Sequence, residues 1–449
     1  MQTIQFYNTQ FKRKETFTPI DPDHVKIYVC GPTVYARPHI GNARPRVVFD
    51  VLVRFLKDQY PRVTYASNIT DIDDKINQAA LSEGQSIQAI TERYRAYFDE
   101  DMAKLNCRKP DIEPTVTDNI PCIIDTIQAI IDRKHAYVAE GHVLFSVASY
   151  PEYGALSGRT IEAQQAGARV AVADFKAHPG DFVLWKPSTG HEPGWDSPWG
   201  YGRPGWHIEC TANIIAHLGM PIDIHAGGMD LVFPHHENEM AQAHCAADIP
   251  VFSRYWLHNG FIKVAEEKMS KSLGNVLFVE DLLKEASGEA IRLALLSTHY
   301  RQPIEWRDET LNQARTNLHK IHQALKQFEG ATAEPDMPFI EALADDLNTP
   351  QALARVYQLA KAVMQGDQKA HAKLIFATQS LGLGEQINDA TNLVNQEDAA
   401  KIQALVDERM AAKLAKDYAR ADALRDELNA LNVELHDQGT ETTWSWKSG

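Results

Sequence analysis

The sequence predicts an α/β protein with a split, Rossmann-like parallel-sheet domain that contains an insertion, followed by an α-helical bundle and a small C-terminal module. Residues 25–29 alternate in polarity and are rich in β-branched side chains, which is typical of a short buried strand. A glycine-containing turn, an apolar helical pattern at 43–55 and a second strand-like run at 63–70 follow. This order predicts a right-handed βαβ unit. From about residue 276 onward the pattern is almost wholly helical.

Length and composition limit the class of protein. The chain has 449 residues, too many for one hydrophobic core, so several domains are expected. Its hydrophobic fraction of 44% and charged fraction of 23% are ordinary for a globular protein. It has no apolar run long enough to span a membrane and no apolar N-terminal segment, so we expect a cytoplasmic protein with no membrane partner. The five scattered cysteines agree with a reducing compartment.

A change of composition along the chain indicates the domain boundaries. The sheet domain is predicted to consist of two halves, residues 1–115 and 204–275, because a Pro-, Gly- and Trp-rich stretch separates them. Residues 116–203 are therefore predicted to be a connecting insertion. The remaining segments are predicted to be a linker region at 276–306, a helical bundle at 307–395 and a C-terminal module at 396–449.

The second half of the sheet domain repeats the layout of the first. Residues 205–210 are interpreted as a strand, followed by a helix from Thr211 to Leu218. An apolar strand then ends in the pair Gly227-Gly228, and another helix begins near residue 234. Because the carboxyl ends of parallel strands meet at one edge of a sheet, both halves should open onto the same crevice.

The first candidate site is the segment 30–42, between the first predicted strand and the first predicted helix. A helix that starts directly after a strand points backbone N–H groups and the positive end of its dipole at an anion. The thiol of Cys30 and the imidazole of His39 lie on this segment, which favours a site over a core. The alternative is an ordinary glycine-containing βα turn without a ligand.

The second candidate site is a metal centre made of two thiols, an imidazole and a carboxylate. The four residues are Cys30, Cys210, His235 and Glu239. Together they would satisfy a tetrahedral Zn²⁺ ion. On a helix His235 and Glu239 are four residues apart and share a face, which leaves His236 and His225 for outer contacts, so we favour His235 over His236. Because no CxxC pair anchors the metal, two buried cysteines beside a solvated His/Glu cluster are the alternative.

The third candidate site is the polar loop at 265–275. Lys268 and Lys271, with two serines on a glycine-bounded loop, supply mobile positive charge and hydrogen-bond donors for a polyphosphate. The alternative is a solvated basic loop without a ligand.

A row of basic residues near the end of the chain is a candidate RNA contact. Arg409, Lys413, Lys416 and Arg420 recur at steps of four, three and four residues. They would line one face of a helix predicted over 396–431 and could follow RNA phosphates, although ion pairs with nearby aspartates explain them equally well. A net charge of −15 means that RNA binding requires local basic stripes of this kind. Another basic cluster, Lys12-Arg13-Lys14, has no evident use.

Two motifs resemble the HIGH and KMSKS signatures of class I aminoacyl-tRNA synthetases: His39-Ile40-Gly41-Asn42 and Lys268-Met269-Ser270-Lys271-Ser272. Four further runs, at 30–35, 68–75, 205–210 and 233–239, are similar to the cysteinyl-tRNA synthetase family. The resemblance covers nearly the whole chain. Asn42 stands where the signature has its last histidine, and an amide can still donate a hydrogen bond to a phosphate oxygen.

The resemblance implies an enzyme that activates L-cysteine with ATP and Mg²⁺ to cysteinyl-adenylate and transfers it to the 3′-terminal ribose of tRNA(Cys). It also implies about one zinc ion per chain, which binds a soft thiolate far better than the hydroxyl of serine, so that no editing domain is needed. We expect a monomer.

The resemblance further implies roles for individual residues. The catalytic residues would be His39, Asn42, Lys268 and Lys271; the ATP contacts Gly31, Thr33, His39, Gly41, Asn42 and Lys271; the cysteine pocket Thr70, Trp206, His225 and Asp230; and the zinc ligands Cys30, Cys210, His235 and Glu239. Asp230 would bind the substrate ammonium, and Lys271 would stabilise the ATP phosphates as its loop closes.

Two other functions share parts of this pattern. The ligase that joins cysteine to an amino sugar in mycothiol synthesis would use the same adenylate chemistry and zinc site, but it would not need residues 307–449. A non-catalytic tRNA-binding paralogue is the other alternative, and the intact zinc, ATP and lysine-loop residues count against it.

Overall fold

The computed structural model describes residues 2–159, 174–190, 192–264, 267–269, 276–385, 402–413, 415, 417–430, 433–438 and 441–446. The chain divides into two compact units, Met1–Glu385 and Gln386–Gly449. Within the described ranges, no helix is both long and apolar enough to cross a membrane.

The secondary structure follows the predicted order of elements. The strands are β1 (Gln5–Asn8), β2 (Arg13–Thr16), β3 (His24–Val29), β4 (Arg62–Ala66), β5 (Ala136–Ala139), β6 (His142–Phe145), β7 (Phe182–Pro187), β8 (Gly202–Pro204), β9 (Ile222–Gly228), β10 (Ser253–Asn259), β11 (Ile262–Val264), β12 (Glu267–Lys268), β13 (Ile304–Trp306), β14 (Val433–Gln438) and β15 (Glu441–Trp446). The helices are α1 (Ile40–Gln59), α2 (Asp74–Glu83), α3 (Ile87–Lys104), α4 (Ile120–Asp132), α5 (Trp206–His217), α6 (Glu237–Ala247), α7 (Val279–Glu285), α8 (Gly288–Leu296), α9 (Asp308–Leu325), α10 (Met337–Ala344), α11 (Thr349–Met364), α12 (Gln368–Leu381), α13 (402–413) and α14 (Tyr418–Ala430).

The central sheet has four parallel strands in the order β10-β9-β3-β4. Ile27 of β3 pairs with Tyr65 of β4 on one side and with Ile224 of β9 on the other. α1 connects β3 to β4 and contributes its buried apolar residues to the same core. The parallel sheet predicted from the βαβ pattern is confirmed. The carboxyl ends of β3, β9 and β10 therefore lie side by side at one edge.

α1 begins at a reciprocal cap formed by two residues of the predicted signature segment. The His39 Nδ1 atom accepts a hydrogen bond from the Asn42 backbone N–H at 3.2 Å, and the Asn42 Oδ1 atom accepts one from the His39 N–H at 3.2 Å. This capping box satisfies N–H groups that the first turn of a helix leaves without partners. Asparagine at position 42 therefore has a structural role of its own.

An antiparallel sheet, β5-β6-β7-β8, lies between the two halves of the parallel sheet in the sequence. Together with α4 it buries an apolar cluster that includes Ile127 and Phe145. Ile208 of α5 and Ala241 of α6 belong to the same cluster, so the insertion is packed against the two helices that flank β9. Its boundaries at residues 116 and 203 stay predictions.

The strand predicted at 205–210 is wrong, because these residues belong to the first turns of α5, which begins at Trp206. All residues of α5 from Ile208 to Ile214 are buried. The run therefore lacks the amphipathic period that distinguishes a helix from a buried strand in sequence. As a consequence, Cys210 lies within a helix.

Where the structure describes the second unit, it has two helices in place of the single helix predicted over 396–431. The predicted basic row is divided between them: Arg409 and Lys413 lie on α13, Arg420 lies on α14, and Lys416 is outside the described residues. The Asp417 side chain accepts a hydrogen bond from the Arg420 N–H at 3.1 Å and so caps α14. Arg420 also forms an ion pair with Glu408 at 2.7 Å, and Arg409 is buried. The prediction that the four basic residues line one face of a single helix is therefore wrong.

A buried ion cluster ties α1 to its neighbours. The Asp50 Oδ2 atom accepts hydrogen bonds from Arg54 Nε at 2.8 Å and from Arg292 Nη2 at 2.5 Å. Arg292 also donates to the carbonyl oxygens of Leu381 and Leu105, which end α12 and α3. Burial alone would raise the pKa of Asp50, but the two guanidinium groups outweigh it and hold the pKa below its ordinary value. The carboxylate is therefore ionised in the folded protein at neutral pH.

Replacing Asp50 by asparagine should destabilise the protein strongly. Asp50→Asn leaves two buried guanidinium groups without their carboxylate, and breaking such a buried pair costs on the order of 3–5 kcal/mol. The control, Glu100→Gln, breaks the exposed pair with Lys104 and should leave the free energy of unfolding almost unchanged, because solvent screens such a pair. Urea unfolding at neutral pH measures the free energy of unfolding of both variants and of the wild type.

The same comparison in acid tests the assigned charge. Because the folded pKa of Asp50 is lowered, its stabilising contribution is fully present above the unfolded value of 3.8 and is lost as the pH falls through the folded value. The difference in the free energy of unfolding between wild type and Asp50→Asn should therefore become smaller as the pH falls. A difference that stays constant as the pH falls would contradict the assignment.

Candidate metal centre and active site

Four side chains from distant parts of the sequence meet at the carboxyl edge of the central sheet. Cys30 directly follows β3, Cys210 lies in α5, His235 lies in the turn before α6, and Glu239 lies in the first turn of α6. Their candidate ligand atoms all lie within 4.8 Å of one another. The Cys30 and Cys210 sulfurs are 3.7 Å apart, and His235 Nε2 is 3.0 Å from Glu239 Oε1. Cys30 is half-buried and the other three are buried, so the cluster is closed on most sides.

Interactions within the cluster shift the protonation of its members. Burial alone would raise the pKa of Glu239, but His225 and His235 outweigh it and hold that pKa well below its usual range. Burial would lower the pKa of His235, whereas chiefly Glu239 raises it to about 10. A hydrogen bond from Cys30 lowers the pKa of the Cys210 thiol to about 6. Without a metal the cluster thus favours a thiolate at Cys210 and a carboxylate at Glu239, the forms in which these groups bind metals. Burial raises the pKa of the Cys30 thiol, and His235 would have to lose a proton on binding.

A second set of candidate ligands overlaps the first. It consists of Cys30, His225, His236 and Glu239, whose ligand atoms also lie within 4.8 Å of one another. His236 Nε2 is 3.2 Å from Cys30 Sγ but 4.0 Å from Glu239 Oε1. His236 Nδ1 is 2.8 Å from His258 Nε2, and His225 Nε2 is 2.8 Å from Glu239 Oε2. The first set contains two thiols, which suits Zn²⁺ better, and we continue to favour it.

Two polar residues that the sequence pattern does not single out also contact the cluster. His207 Nδ1 is 2.9 Å from His235 Nδ1, the ring nitrogen that faces away from Glu239. The Asn68 Oδ1 atom accepts a hydrogen bond from the Gly31 N–H at 2.8 Å and is 3.7 Å from the Cys210 sulfur. Both residues lie in sequence runs that carry the family resemblance. Their membership of these runs is the signal by which they could have been found from the sequence.

Gly31 is required by a close approach of two backbones. A Cβ atom at this position would lie 1.6 Å from the carbonyl oxygen of Asn68, which no side chain could avoid. Thr33 continues the same contact, since it forms a bridge with Thr70 beyond the ends of β3 and β4. The predicted ATP-contact residues Gly31 and Thr33 therefore hold the loop 30–42 beside β4.

Two residues predicted to line the cysteine pocket lie directly against the cluster. The Trp206 indole stacks on the His235 ring with centroids 4.3 Å apart, and 41% of this residue remains exposed. His225 bonds Glu239 and stacks on the Trp256 ring at 4.8 Å. Trp206 thus covers the candidate ligand His235 on the side that faces solvent, whereas the buried His225 bonds the carboxylate of Glu239.

The other two predicted pocket residues differ in position. Thr70 is buried, and its hydroxyl is 3.1 Å from Asn68 Nδ2 and 3.3 Å from Glu209 Oε2. Asp230 lies in the 3₁₀ turn that directly follows β9, and it is exposed. Asp230 is therefore at the same edge of the sheet as the cluster but nearer to solvent.

The two signature segments contact each other. A Cβ atom at Gly41 would lie 3.1 Å from the terminal methyl of Met269. The Leu277 N–H donates to the Met269 sulfur at 3.4 Å, and the Leu277 carbonyl accepts from the Ile40 N–H at 2.9 Å. The polar loop at 265–275 is therefore held near the first turn of α1 by Met269, within it, and by Leu277, just after it. Lys271 lies outside the described residues, and Lys268 is described by its backbone alone, in β12.

Comparisons with known proteins agree with this fold. Residues 16–316 match the family model of the tRNA synthetases class I (C) catalytic domain, and residues 338–432 match that of the DALR domain. The chain is 54% identical over 446 residues to a cysteine–tRNA ligase of Acidiphilium cryptum, with 99% of each chain covered. It is 51% identical over 455 residues to one of Rhodospirillum rubrum, with 98% of this chain and 99% of the relative covered.

The solved structures show the same fold at low identity. The chain resembles Mycobacterium tuberculosis methionyl-tRNA synthetase in complex with methionyl-adenylate with a TM-score of 0.57 and 16% identity, over 86% of this chain and 94% of that one. The parallel sheet and the matched catalytic domain thus define a class I tRNA synthetase. Within this class the chain belongs to the family of cysteine–tRNA ligases, which it matches over nearly its full length. The resemblance seen in the sequence motifs is confirmed.

Metal content distinguishes the two overlapping ligand sets. Purified protein should contain about one zinc ion per chain if four protein ligands close the site. Cys210→Ser removes a ligand of the favoured set alone and should lower the zinc content, whereas Cys245→Ser, a buried cysteine outside the cluster, should not. Elemental analysis of the three proteins provides the measurement. Full zinc occupancy in Cys210→Ser, combined with loss in a His236→Asn variant, would favour the other set.

Proposed function

We propose that this protein activates L-cysteine with ATP and transfers it to the 3′-terminal ribose of tRNA(Cys). One observation carries the proposal: the thiol-containing cluster and the capped start of α1 lie at the two ends of a single loop, residues 30–42. A sulfur bound at the cluster would therefore share this loop with a helix N-terminus, which is a natural site for a phosphate.

The residues of the favoured set fit a zinc ion. They are Cys30, Cys210, His235 and Glu239, and their mixture of two sulfurs, one nitrogen and one oxygen is a donor set that zinc accepts. When bound, zinc supplies a soft Lewis acid that takes the substrate sulfur as a thiolate in preference to the hydroxyl of serine. Zinc would then select the substrate by whether it carries sulfur or oxygen. A pocket of fixed shape would distinguish cysteine from serine poorly, because the two differ little in size.

The surrounding side chains would orient these ligands and the substrate. His225 holds the Glu239 Oε2 atom and so leaves Oε1 directed at the cluster. His207 fixes the orientation of the His235 ring through its other nitrogen. Trp206 shields the cluster from water, and the exposed carboxylate of Asp230 would bind the substrate ammonium at the same edge.

The segment around the start of α1 would bind ATP, with Mg²⁺ as its counterion. The substrate carboxylate attacks the α-phosphorus, a P–O bond to pyrophosphate breaks, and negative charge accumulates on the phosphate oxygens. His39, Asn42 and the positive end of the α1 dipole, with Gly41 allowing close approach, would offset this charge. We propose that Lys268 and Lys271 add positive charge from the loop that packs against this turn.

The C-terminal half favours tRNA over an amino sugar as acceptor. Residues 338–432 match a DALR domain, and the curated relatives extend over the same full length. A sugar acceptor gives no reason for this additional helical region. We further propose that the protein acts as a monomer.

Amino-acid-dependent exchange of pyrophosphate into ATP tests the proposal directly. Cysteine should support exchange, whereas serine should give no more than the background seen without an amino acid, because it lacks the sulfur that the cluster selects. Charging of bulk tRNA with cysteine should follow. Equal exchange with serine and cysteine would refute selection at the thiol cluster, and exchange without tRNA charging would favour the sugar acceptor.

Loss of the second loop lysine should slow the chemical step. Lys271→Ala removes one cation that offsets charge in the transition state, and comparable losses reduce kcat about 10²–10³-fold. Lys284→Ala, an exposed lysine paired with Asp281, is the matched control and should leave exchange unchanged. Zinc content should be equal in all three proteins. Unchanged exchange in Lys271→Ala would remove its assigned role.

A further inference from the structure

We propose that the tip of the β1–β2 hairpin binds the single-stranded 3′ end of an RNA beside the active site. The hairpin-tip surface consists of Phe11, Lys12, Arg13 and, from the insertion, Arg159. The identity of the RNA as tRNA rests on the proposed function, whereas the surface itself is defined by contacts of its own. It accounts for the basic cluster at residues 12–14 that the active site leaves unused.

The hairpin is fixed at the active edge of the central sheet. The Thr9 N–H donates to the carbonyl of Trp256 at 2.9 Å, next to the carboxyl end of β10. The Thr9 hydroxyl is 2.8 Å from His258 Nδ1, and His258 Nε2 is 2.8 Å from His236 Nδ1. The turn that carries Phe11 and Lys12 therefore starts two side chains away from the metal cluster.

The hairpin tip presents an exposed aromatic ring with a cation next to it. Phe11 is 53% exposed, and the Arg13 guanidinium carbon lies 5.8 Å from the centroid of its ring. An exposed ring flanked by cations is the arrangement on which unpaired bases stack while their phosphates are neutralised. A base-paired helix offers no free base for such a ring, so a single strand is the better fit.

A continuous row of groups connects the hairpin tip to the cluster. A Cβ atom at Gly158 would lie 2.7 Å from Lys12 Nζ, which shows that the lysine passes directly over this glycine. The adjacent Arg159 places its guanidinium 4.7 Å from the centroid of the Phe233 ring. Phe233 precedes the metal-ligand candidate His235 by two residues. The Lys12 ammonium and Arg159 therefore lie at neighbouring positions between the hairpin tip and Phe233, which is close in sequence to the candidate metal ligands.

The charges of the surface suit an anion. Arg13 is paired with Glu15 and Lys14 with Asp345, whereas Lys12 and Arg159 form no ion pair with any residue that the structure describes. Two uncompensated cations at the edge of the active site, in a chain with a net charge of −15, mark a local site for phosphates. An acidic peptide would match the charges but not the exposed Phe11 ring, and it becomes an outcome of the test.

Binding of tRNA(Cys) over a range of salt concentrations tests the surface. Loss of two phosphate contacts to a single strand lowers the slope of log K against log[salt] by about 1.4, so the double variant Lys12→Ala/Arg159→Ala should show this change. Phe11→Ala should weaken binding at least about fivefold, and Phe11→Trp should retain it, because base stacking depends on the ring. Lys109→Ala, an exposed lysine on the loop after α3, should leave affinity and slope unchanged.

Repeating the measurement with tRNA trimmed of its single-stranded 3′ nucleotides localises the contact. The hairpin variants should then bind as the wild type does. Variants that bind intact tRNA normally, or that are equally weakened on both RNAs, would overturn the proposal, and the second result would point to another RNA segment or partner.

Cysteine-dependent pyrophosphate exchange separates this proposal from the proposed function. Exchange needs no tRNA, so the hairpin variants should match the wild type in that assay. Absence of exchange in the wild type would refute the proposed function, whereas 3′-end binding that depends on Phe11 and Lys12 would still support the surface.

Discussion

The buried carboxylate of Glu239 is the constraint around which the active edge is arranged. An ionised carboxylate without solvent requires partners of opposite charge or strong hydrogen-bond donors. His225 on β9 and His235 before α6 supply them, and the Cys30 thiol after β3 lies 3.4 Å from the same group. Three separate elements must therefore converge for the charge to be stable. Their convergence also brings together the groups that could hold a metal ion.

The topology of the sheet makes this convergence possible. Parallel strands β3 and β9 are neighbours, so the residues that follow them reach the same edge. The insertion packs against α5 and α6 through a shared apolar cluster, and it thereby sets the position of the helices that carry Cys210 and Glu239. The contact of Gly31 with Asn68 then brings the loop 30–42 against β4. Packing far from the cluster thus determines its geometry.

α1 links this edge to the rest of the first unit. Its N-terminus is capped by His39 and Asn42, and further along Asp50 is buried against two guanidinium groups. Arg54 also pairs with Glu385 at 3.4 Å, the residue at which the first unit ends. The helix whose N-terminus we propose as the phosphate site is therefore held at its start and again along its second half. Such rigidity is what electrostatic stabilisation of a transition state requires.

The sequence by itself determined the features that depend on short-range order. The strand, turn and helix around residues 25–55, the shared face of His235 and Glu239, and the two signature motifs follow from backbone periodicity and local spacing. These features sufficed to predict the parallel sheet, the family and a compact set of candidate ligands.

Only the tertiary structure decided the features that depend on contacts between distant segments. It showed a helix that begins at Trp206, whose burial on all sides from Ile208 to Ile214 hides the helical period, and it divided the predicted C-terminal helix in two. It also revealed the supporting contacts of His207 and Asn68, and a second possible ligand set that includes His236. Periodicity specifies which side chains share a face of one element, but the distance between side chains on different elements depends on how those elements pack.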